Sequence, residues 1–511
     1  MARWRAMGPP PNGEGKIRKM GKLTPLNINY NKYDMKFSIH NPYETIHTLY
    51  DAILTLYDAI LTLPTWGRAA RAKARAGWGR KVGLLFLFFN LTAYAQQSRT
   101  EIIQNPTLAA ANTRIYPTPT KALTPAPKGY KPFYISHYGR HGSRWLIGAS
   151  AFDDPYKLLA KADSLGKLTP RGREVLATVK AMRDNGRSRE GELTPLGAQQ
   201  HRDIARRMFE RFPEVFAGKT HVDAKSTVVI RSILSMENEL LQLAALNPQL
   251  TFTHDASNHD MHFMNNEGRS PFEKMRFTAE VRDSLRAFNA RHTDNSYMLS
   301  VVFNDSAYVK QLGQKTARLA YDLWNLCIDL DNTELAHQCK PMWDIFSQEE
   351  IYNAWLVNNA YWYCISGPNR MTNGAGMHMQ GDLLGRILAD ADSCVQLPHP
   401  GAQLRFGHES TTLPLVCLLN INGFGNPRSG LNNLDKEGWL DYQVFPMACN
   451  VQLIFYRKAK SNDILVKVLL NENEASLPVK TDCAPYYHWK DVRAYMENLV
   501  KASVAPSHTG K

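Results

Sequence analysis

Two arginines and a histidine stand close together in the segment RHGSR, which begins at Arg140. Arg140 and Arg144 lie four residues apart across a turn, so both guanidinium groups can donate paired hydrogen bonds to one phosphate. His141 stands between them, where an imidazole nitrogen can attack a phosphorus atom. Gly142 lets the backbone approach a ligand because it has no Cβ. The segment follows an apolar stretch and therefore predicts an anion-binding turn with a nucleophilic histidine, rather than a basic surface turn.

Two further groups of polar residues follow apolar runs elsewhere in the chain. His408 and Glu409 come after Gln403–Phe406, and Arg231 comes directly after Thr227–Ile230. Phosphoryl transfer needs positive charge around the equatorial oxygens and a proton for the leaving oxygen. The histidine, expected to be protonated, and the arginine could supply that charge, and a desolvated carboxylic acid could supply the proton. The alternative interpretations are a surface arginine at a strand end for Arg231 and a solvated turn residue for Glu409.

The elements that must position these residues are predicted from apolar patterning. Three strands are expected to end at the site: Pro132–His137, Thr227–Ile230 and Gln403–Phe406. An antiparallel pair is predicted at Val451–Arg457 and Ile464–Leu470, and helical periodicity fills most of residues 153–212, 240–395 and 492–500. Ligands in open α/β sheets bind beyond the carboxyl ends of the strands. We therefore predict an α/β fold with a mainly parallel sheet flanked by helices and a mostly helical inserted cap domain.

The ordered set of RHGSR, GELTPLG, the arginine after the second strand and RFGHES resembles the histidine phosphatase superfamily. It is most similar to the acid phosphatase and phytase branch, which includes the multiple inositol polyphosphate phosphatases. The resemblance covers roughly residues 130–500 and implies that His141 becomes phosphohistidine and that Glu409 is the proton donor. It implies four ligands for the phosphoryl oxygens: Arg140, Arg144, Arg231 and His408. The chain has His-Glu-Ser where many acid phosphatases have His-Asp and the inositol polyphosphate enzymes commonly have His-Ala-Glu.

The resemblance implies an enzyme that hydrolyses phosphomonoesters through a covalent phosphohistidine, with inositol phosphates such as phytate as substrates. A broad-specificity acid phosphatase and a phosphate- or polyanion-binding protein that has lost turnover are the alternatives. A phosphomutase would use the same histidine, but it fits a helical cap and export poorly. No metal or other cofactor is expected, because three arginines and a histidine supply the positive charge. The expected partner is a small phosphorylated substrate.

The net charge of +14 does not indicate a nucleic-acid partner, because it is concentrated at one end of the chain. Residues 1–95 hold 14 of the 61 Lys and Arg residues and 5 of the 47 Asp and Glu residues, so they carry +9 of the total. Basic residues from Arg71 to Lys81 precede the apolar run Val82–Ala95, which is typical of a secretory signal peptide. The run is short for a membrane span. We therefore predict a periplasmic or secreted protein with no membrane contact after signal removal.

The predicted domain organisation follows from these segments. Residues 1–70, which contain the duplicated sequence YDAILTL, form a non-native or unstructured extension, and residues 71–95 form the signal peptide, so that the mature chain begins near Gln96. Residues 96–240 and 400–511 form the α/β core, and residues 241–399 form the cap.

Cysteine and histidine spacings give little further indication of function. The chain has 7 cysteines, an odd number, and none has a spacing typical of zinc sites. Export would permit a disulfide, for which Cys449 and Cys483 are the candidates. The cluster of histidines and aspartates over residues 254–262 is interpreted as a polar loop near the pocket rim. Gln199 and His201 are expected on a helix surface.

Overall fold

The computed structural model describes residues 97–265, 268 and 270–504. The predicted extension (1–70) and signal peptide (71–95) lie outside these residues and stay predictions. None of the described helices is long and apolar enough to cross a membrane.

Eight strands among the described residues form one mixed sheet in the order β3-β2-β4-β1-β5-β6-β7, with β8 paired to β6. Their bounds are β1 Tyr130–Arg140, β2 His221–Ser226, β3 Thr251–Asp255, β4 Gly401–Gly407, β5 Asn450–Lys458, β6 Ile464–Leu470, β7 Asn473–Ala475 and β8 Tyr486–His488. Strands β1 to β4 are parallel, and β5 joins β1 antiparallel and pairs with β6 in the same way. Five of these eight strands therefore run in one direction.

The described helices cover both faces of the sheet and form a separate helical layer. The α-helices after a short segment at 97–104 are α1 Ser150–Ser164, α2 Pro170–Gly186, α3 Pro195–Arg211, α4 Ile230–Leu246, α5 Met261–Met264, α6 Ala279–His292, α7 Ser296–Val302, α8 Ser306–Leu312, α9 Lys315–Leu330, α10 Gln348–Ser366, α11 Ala375–His378, α12 Gly381–Cys394, α13 Glu409–Leu418 and α14 Trp489–Ala502. The 3₁₀ segments are Pro106–Thr113, Pro213–Phe216, Trp343–Ile345, Arg370–Thr372, Ile421–Gly423, Leu431–Asn433 and Asp441–Gln443. The predicted α/β class with a helical cap is confirmed.

Strand β1 lies at the centre of the sheet, and the RHGSR segment begins at its last residue. It is buried on both faces from residue 133 onward, which explains why its sequence is apolar at successive positions rather than at alternate ones. It begins at Tyr130 and continues to Arg140, so it is longer at both ends than the predicted strand Pro132–His137. His141 therefore directly follows the last residue of a rigid central strand.

The predicted strand Thr227–Ile230 is wrong. Strand β2 ends at Ser226, and helix α4 begins at Ile230, so the β-branched residues between them form a turn. Ile230 is 71% exposed, whereas β2 buries Val222 and Ala224. The sequence of β2, HVDAKS, alternates buried and more exposed positions with few apolar residues, and for that reason it gave a weak signal.

The helical layer includes helices from outside the predicted cap, residues 241–399. One apolar cluster joins residues of α1 and α2, such as Phe152 and Val175, to residues of α9 and α10, such as Leu323 and Trp355. The predicted boundary at residue 240 divides helix α4 and assigns β3 to the cap, but β3 pairs with β2 at the edge of the core sheet. Helix α4 and β3 therefore belong with the core sheet rather than with the cap, and the rest of the predicted division stays a prediction.

The seven cysteines, all among the described residues, are unpaired. The expected disulfide between Cys449 and Cys483 is therefore wrong. Cys449 is buried next to Arg140 at the start of β5, whereas Cys483 lies in the loop before β8. The two residues belong to different ends of the sheet.

A buried histidine in β1 is expected to make folding sensitive to acid. His137 is 1% exposed, and its ring nitrogens have no hydrogen-bond partner among the described residues. Burial, followed by the neighbouring His201 and Arg405, lowers the pKa of His137 to about 3. Because the unfolded pKa is higher, about 6.5, the stabilising contribution is complete above pH 6.5 and is lost as the pH falls toward 3.

The variant His137→Gln has no titrating group at this position. Between pH 6.5 and pH 3.5 we expect it to lose less unfolding free energy than wild type, by on the order of 4 kcal/mol. Urea unfolding at a series of pH values measures this slope, with the exposed His262→Gln as the matched control. Parallel curves for wild type and His137→Gln would contradict the assignment.

Candidate active site

The two predicted site segments lie side by side because β1 and β4 are neighbouring parallel strands. Arg140 is paired with Gly407 in the sheet register, and the backbone N–H of His141 donates to the Gly407 carbonyl at 3.0 Å. The rings of His141 and His408 stand edge to face with centroids 5.6 Å apart. The sheet edge thus brings together two residues that are far apart in sequence.

The turn after β1 packs tightly against the start of helix α3. A Cβ on Gly142 would lie 2.4 Å from the carbonyl oxygen of Gly197, so this close approach requires glycine. The backbone N–H of Ser143 donates to the Gln200 side chain at 2.9 Å, and the Ser143 hydroxyl donates to Asn332 at 2.7 Å. The segment that contains LTPLG, together with Gln200 after it, therefore positions the RHGSR turn.

The tautomer of His141 follows from its hydrogen bond. Nδ1 lies 2.9 Å from the Gly142 carbonyl oxygen, which can only accept, so Nδ1 carries the proton and Nε2 keeps a free lone pair. Burial, followed by Arg140, Arg231 and other nearby cations, holds the pKa of His141 well below its usual range. The imidazole is therefore neutral, as a nucleophile must be.

Arg140 is held rigidly at the base of the site. Its side chain is fully buried, and Nη1 donates to the carbonyls of Asn112, Phe445 and Pro446, the last two at 3.2 Å. Its Nε lies 3.0 Å from Glu409 Oε2. Backbone carbonyls thus fix one side of the guanidinium and leave Nη2 without a hydrogen-bond partner among the described residues.

Arg144 and Arg231 complete the positive charge around His141. Arg144 Nη1 donates to the Trp145 carbonyl at 3.1 Å and lies 3.9 Å from the carboxylate of Asp329. Arg231 does not follow a strand, as predicted, but lies in the first turn of α4. Burial, and then repulsion from Arg144, lowers the pKa of Arg231 to about 10. It still carries its charge at neutral pH, so the role assigned to it fits its position.

His408 and Glu409 lie at the N-terminus of α13, where the helix dipole favours negative charge. Burial, followed by Arg231, lowers the pKa of His408 to about 4, so the expectation of a protonated histidine is wrong for the free site. Its Nε2 lies 3.1 Å from the Thr227 hydroxyl. Burial raises the pKa of Glu409, but Arg140, Arg144 and His408 outweigh it and the resulting pKa is about 2. Glu409 is therefore ionised, not protonated, before substrate binds.

The arrangement favours an anion over a metal ion. Ligand atoms of His141, His408 and Glu409 lie within 4.8 Å of one another, close enough to approach one cation. However, Arg140 and Arg231 lower the pKa of both histidines, and the same positive field would repel a divalent cation. The positive charge of these arginines would instead stabilise the negatively charged oxygens of a phosphoryl group.

The sequence did not predict Asp329, Gln200 or Asn332, which contact the RHGSR turn from α9, from α3 and from the turn after α9. Asp329 is fully buried in α9, among the leucines from which that helix is predicted. An acidic residue on the apolar face of a helix is unusual, and this was the feature of the sequence that could have indicated its role. The expected surface role of His201 is also wrong, because its ring is buried and bonded to Glu239 at 2.8 Å.

Asp329 is expected to orient Arg144 in a pH-dependent way. Burial raises the pKa of Asp329 to about 7, although Arg144 opposes the shift, so the carboxylate is ionised only above that pH. In Asp329→Asn we expect the KM for a phosphomonoester to rise about tenfold at pH 8, which corresponds to roughly 1.4 kcal/mol. At pH 5 the KM should match that of wild type, because the acid is already neutral. Steady-state kinetics across pH 5–8 tests this, and a rise that is equal at all pH values would contradict it.

A neutral histidine beside two buried arginines and a partly buried third one, at the carboxyl edge of the parallel strands, forms a site suited to a phosphate group. The histidine phosphatase superfamily (branch 2) matches residues 139–471, and the chain belongs to this superfamily. The resemblance inferred from the sequence is therefore confirmed.

The fold is similar to that of solved phosphatases and phytases. Bifidobacterium longum multiple inositol polyphosphate phosphatase, in its complex with inositol hexasulfate, has a TM-score of 0.63 and 18% identity over 76% of this chain and 97% of that chain. The phytase from D. castellii has a TM-score of 0.56 and 15% identity over 77% of this chain and 85% of that chain. No curated protein sequence matches the chain. At these identities the likeness shows the fold.

Proposed function

We propose that this protein hydrolyses phosphomonoesters through a phosphohistidine on His141. The observation that carries the proposal is the neutral imidazole, whose Nδ1 proton is held by the Gly142 carbonyl while Nε2 faces a site ringed by arginines. That arrangement presents a lone pair to phosphorus and stabilises the charge on its equatorial oxygens.

The reaction follows in two balanced steps. Nε2 of His141 attacks phosphorus, the bond to the ester oxygen breaks, and Glu409 protonates the departing alkoxide. Water then attacks the phosphohistidine, Glu409 accepts the proton of that water, and inorganic phosphate leaves with Nε2 restored.

Substrate binding supplies the proton that Glu409 lacks in the free site. Phosphate placed between the arginines offsets the charges that lower the pKa of Glu409 and adds a negative charge beside it, which raises that pKa. A phosphate ester that is still monoanionic, below about pH 6, carries a proton that can pass to this carboxylate. We therefore propose an acidic pH range for activity.

Inositol phosphates are the proposed substrates. The Bifidobacterium longum phosphatase has been solved in complex with inositol hexasulfate, a polyanion with six charged groups around one ring. Three arginines, Arg140, Arg144 and Arg231, supply a cationic floor for one such group. A broad-specificity acid phosphatase would use the same floor without selecting the ring.

Export is proposed as well, because the predicted signal peptide precedes the described residues. Mass spectrometry of the mature protein tests it: an N-terminus near Gln96 is expected, and a mature chain that retains residues 1–70 would contradict the proposal.

One observation favours a second candidate, a phosphate-binding protein without turnover. Glu409 forms an ion pair with Arg140 at 3.0 Å and is ionised in the free site, which is the wrong state for a proton donor. In that case phosphate would bind and no ester would be cleaved.

The two candidates are separated by following the phosphoryl group. Phosphate release is measured at pH 4–8 from phytate, a sugar phosphate and an aryl phosphate. The enzyme is also mixed with ³²P-labelled substrate and quenched in alkaline detergent, in which phosphohistidine survives. Release together with protein-bound label is expected, and a preference for phytate would support inositol phosphates. Binding without release or label would favour the second candidate.

A further inference from the structure

A second cluster of ligating side chains lies away from the active site, in the loop that leads into β8. Asp482, Cys483 and His488 place a carboxylate oxygen, a thiol sulfur and an imidazole nitrogen within 4.8 Å of one another. His488 ends β8 and precedes α14, so a hydrogen-bonded strand fixes its backbone. The sequence did not indicate this site, because Asp482 and Cys483 are adjacent and match no common zinc spacing.

The orientation of His488 is fixed from behind by a carboxylate. Its Nδ1 lies 2.8 Å from Asp463 Oδ1, and the other oxygen of Asp463 accepts a hydrogen bond from the Tyr130 hydroxyl at 2.7 Å. The opposite nitrogen, Nε2, lies 3.0 Å from Asp482 Oδ1. A carboxylate that holds one nitrogen while the other faces a ligand cluster is the usual support of a metal-bound histidine.

The chemistry of the three groups selects the metal. Sulfur and imidazole nitrogen together favour zinc-type cations over magnesium or calcium, which prefer oxygen ligands only. Cys483 is partly buried, with its sulfur 3.3 Å from the Thr481 hydroxyl and 3.5 Å from the Tyr486 carbonyl oxygen. A cation would displace the proton from sulfur and the one on Nε2.

We propose that Asp482, Cys483 and His488 bind a zinc-type divalent cation, with Asp463 positioning the histidine. Three protein ligands leave one tetrahedral position for water. The site joins the loop before β8 to β6, through the pairing of His488 with Leu465, and to the first residue of β1. Its role is to stabilise the C-terminal part of the sheet.

The site lies far from the chemistry and does not depend on the proposed function. Tyr130 begins β1 and Arg140 ends it, and a strand of 11 residues spans roughly 35 Å at about 3.3 Å per residue. A cation bound here is therefore expected to change stability without changing turnover.

The experiment is a titration of the purified chain with Zn²⁺ by calorimetry and with Co²⁺ by absorption spectroscopy. Because His141, His408 and Glu409 form a competing cluster, all titrations use the His408→Ala background, and Glu409→Gln serves as a second background. We expect one Zn²⁺ per chain, a thiolate-to-cobalt charge-transfer band and a raised melting temperature.

Matched variants assign the site. Cys483→Ser should weaken Zn²⁺ binding at least tenfold and abolish the cobalt band, and Asp463→Asn should weaken binding about tenfold. Cys339→Ser, which removes another partly exposed cysteine, should change neither. Circular dichroism confirms that each variant is folded. No Zn²⁺ binding by the background chain, or unchanged binding by Cys483→Ser, would overturn the proposal.

Discussion

Replacing His141 by alanine is expected to reduce phosphate release from every phosphomonoester by a factor on the order of 10⁴ or more. The loss follows because Nε2 forms the covalent bond to phosphorus, and no other side chain of the site can take its place. His408 is the other imidazole nearby, but its Nε2 lies at the Thr227 hydroxyl. The variant should still bind inorganic phosphate, since the arginines remain. Activity assays and equilibrium dialysis with ³²P-phosphate measure the two effects.

The control for this prediction is His262→Ala, which removes an exposed histidine in α5 and should leave activity unchanged. If His141→Ala kept more than about one per cent of wild-type release, or if label were still trapped on the protein, another residue would be the nucleophile. If both turnover and phosphate binding were lost, unfolding rather than chemistry would explain the result, and circular dichroism would show it.

The second large effect is expected from Glu409→Gln, and its size should depend on the leaving group. An alkoxide leaves poorly without a proton, so release from an alkyl phosphate or phytate should fall about 10³-fold, within the usual range for loss of a general acid. An aryl phosphate with an acidic phenol leaves without that proton, and its first step should slow less than tenfold. Loss of the carboxylate also frees Arg140, so inorganic phosphate should bind more tightly. The kcat/KM for each substrate class, which reports the first step and not the later attack of water, tests the leaving-group dependence, and product inhibition tests phosphate binding.

Glu174→Gln, which removes an exposed carboxylate of α2, is the matched control. An equal loss of kcat/KM on alkyl and aryl substrates would show that Glu409 does not act as the proton donor of the first step. In that case the role of Glu409 would be to orient the Arg140 guanidinium through their ion pair.

The sequence predicted those parts of the site whose residues are adjacent in the chain. Arg140, His141 and Arg144 belong to one turn, and the strand before it is apolar on both faces, so pattern and spacing were sufficient. The sequence did not predict strand β2 because alternate residues of the strand are exposed. The β-branched residues 227–230 after it have a pattern more typical of a strand, although they form a turn and the start of α4. The sequence predicts Arg231 as a phosphate ligand because it would follow a strand, whereas in the structure it lies in the first turn of α4.

The rest of the site depends on contacts between distant segments. Asp329 of α9 lies next to Arg144 in the loop after β1, and the carbonyls of Asn112 and Phe445 both accept hydrogen bonds from Arg140. The charge states of His408 and Glu409 also escaped prediction, because they result from how closely the arginines converge after folding. Local sequence carries no information on that distance.

The position of β1 between β4 and β5 also bears on how the protein is made. Arg140 pairs with Gly407, its neighbour Gly139 pairs with Asn450, and both partners are synthesised long after the RHGSR turn has left the ribosome. A growing chain therefore carries His141 without the completed site during much of its synthesis. Such long-range pairing slows folding, since the intervening chain must close before the contacts form. Activity should consequently appear late, as a nearly complete chain closes its sheet, rather than increase gradually with chain length.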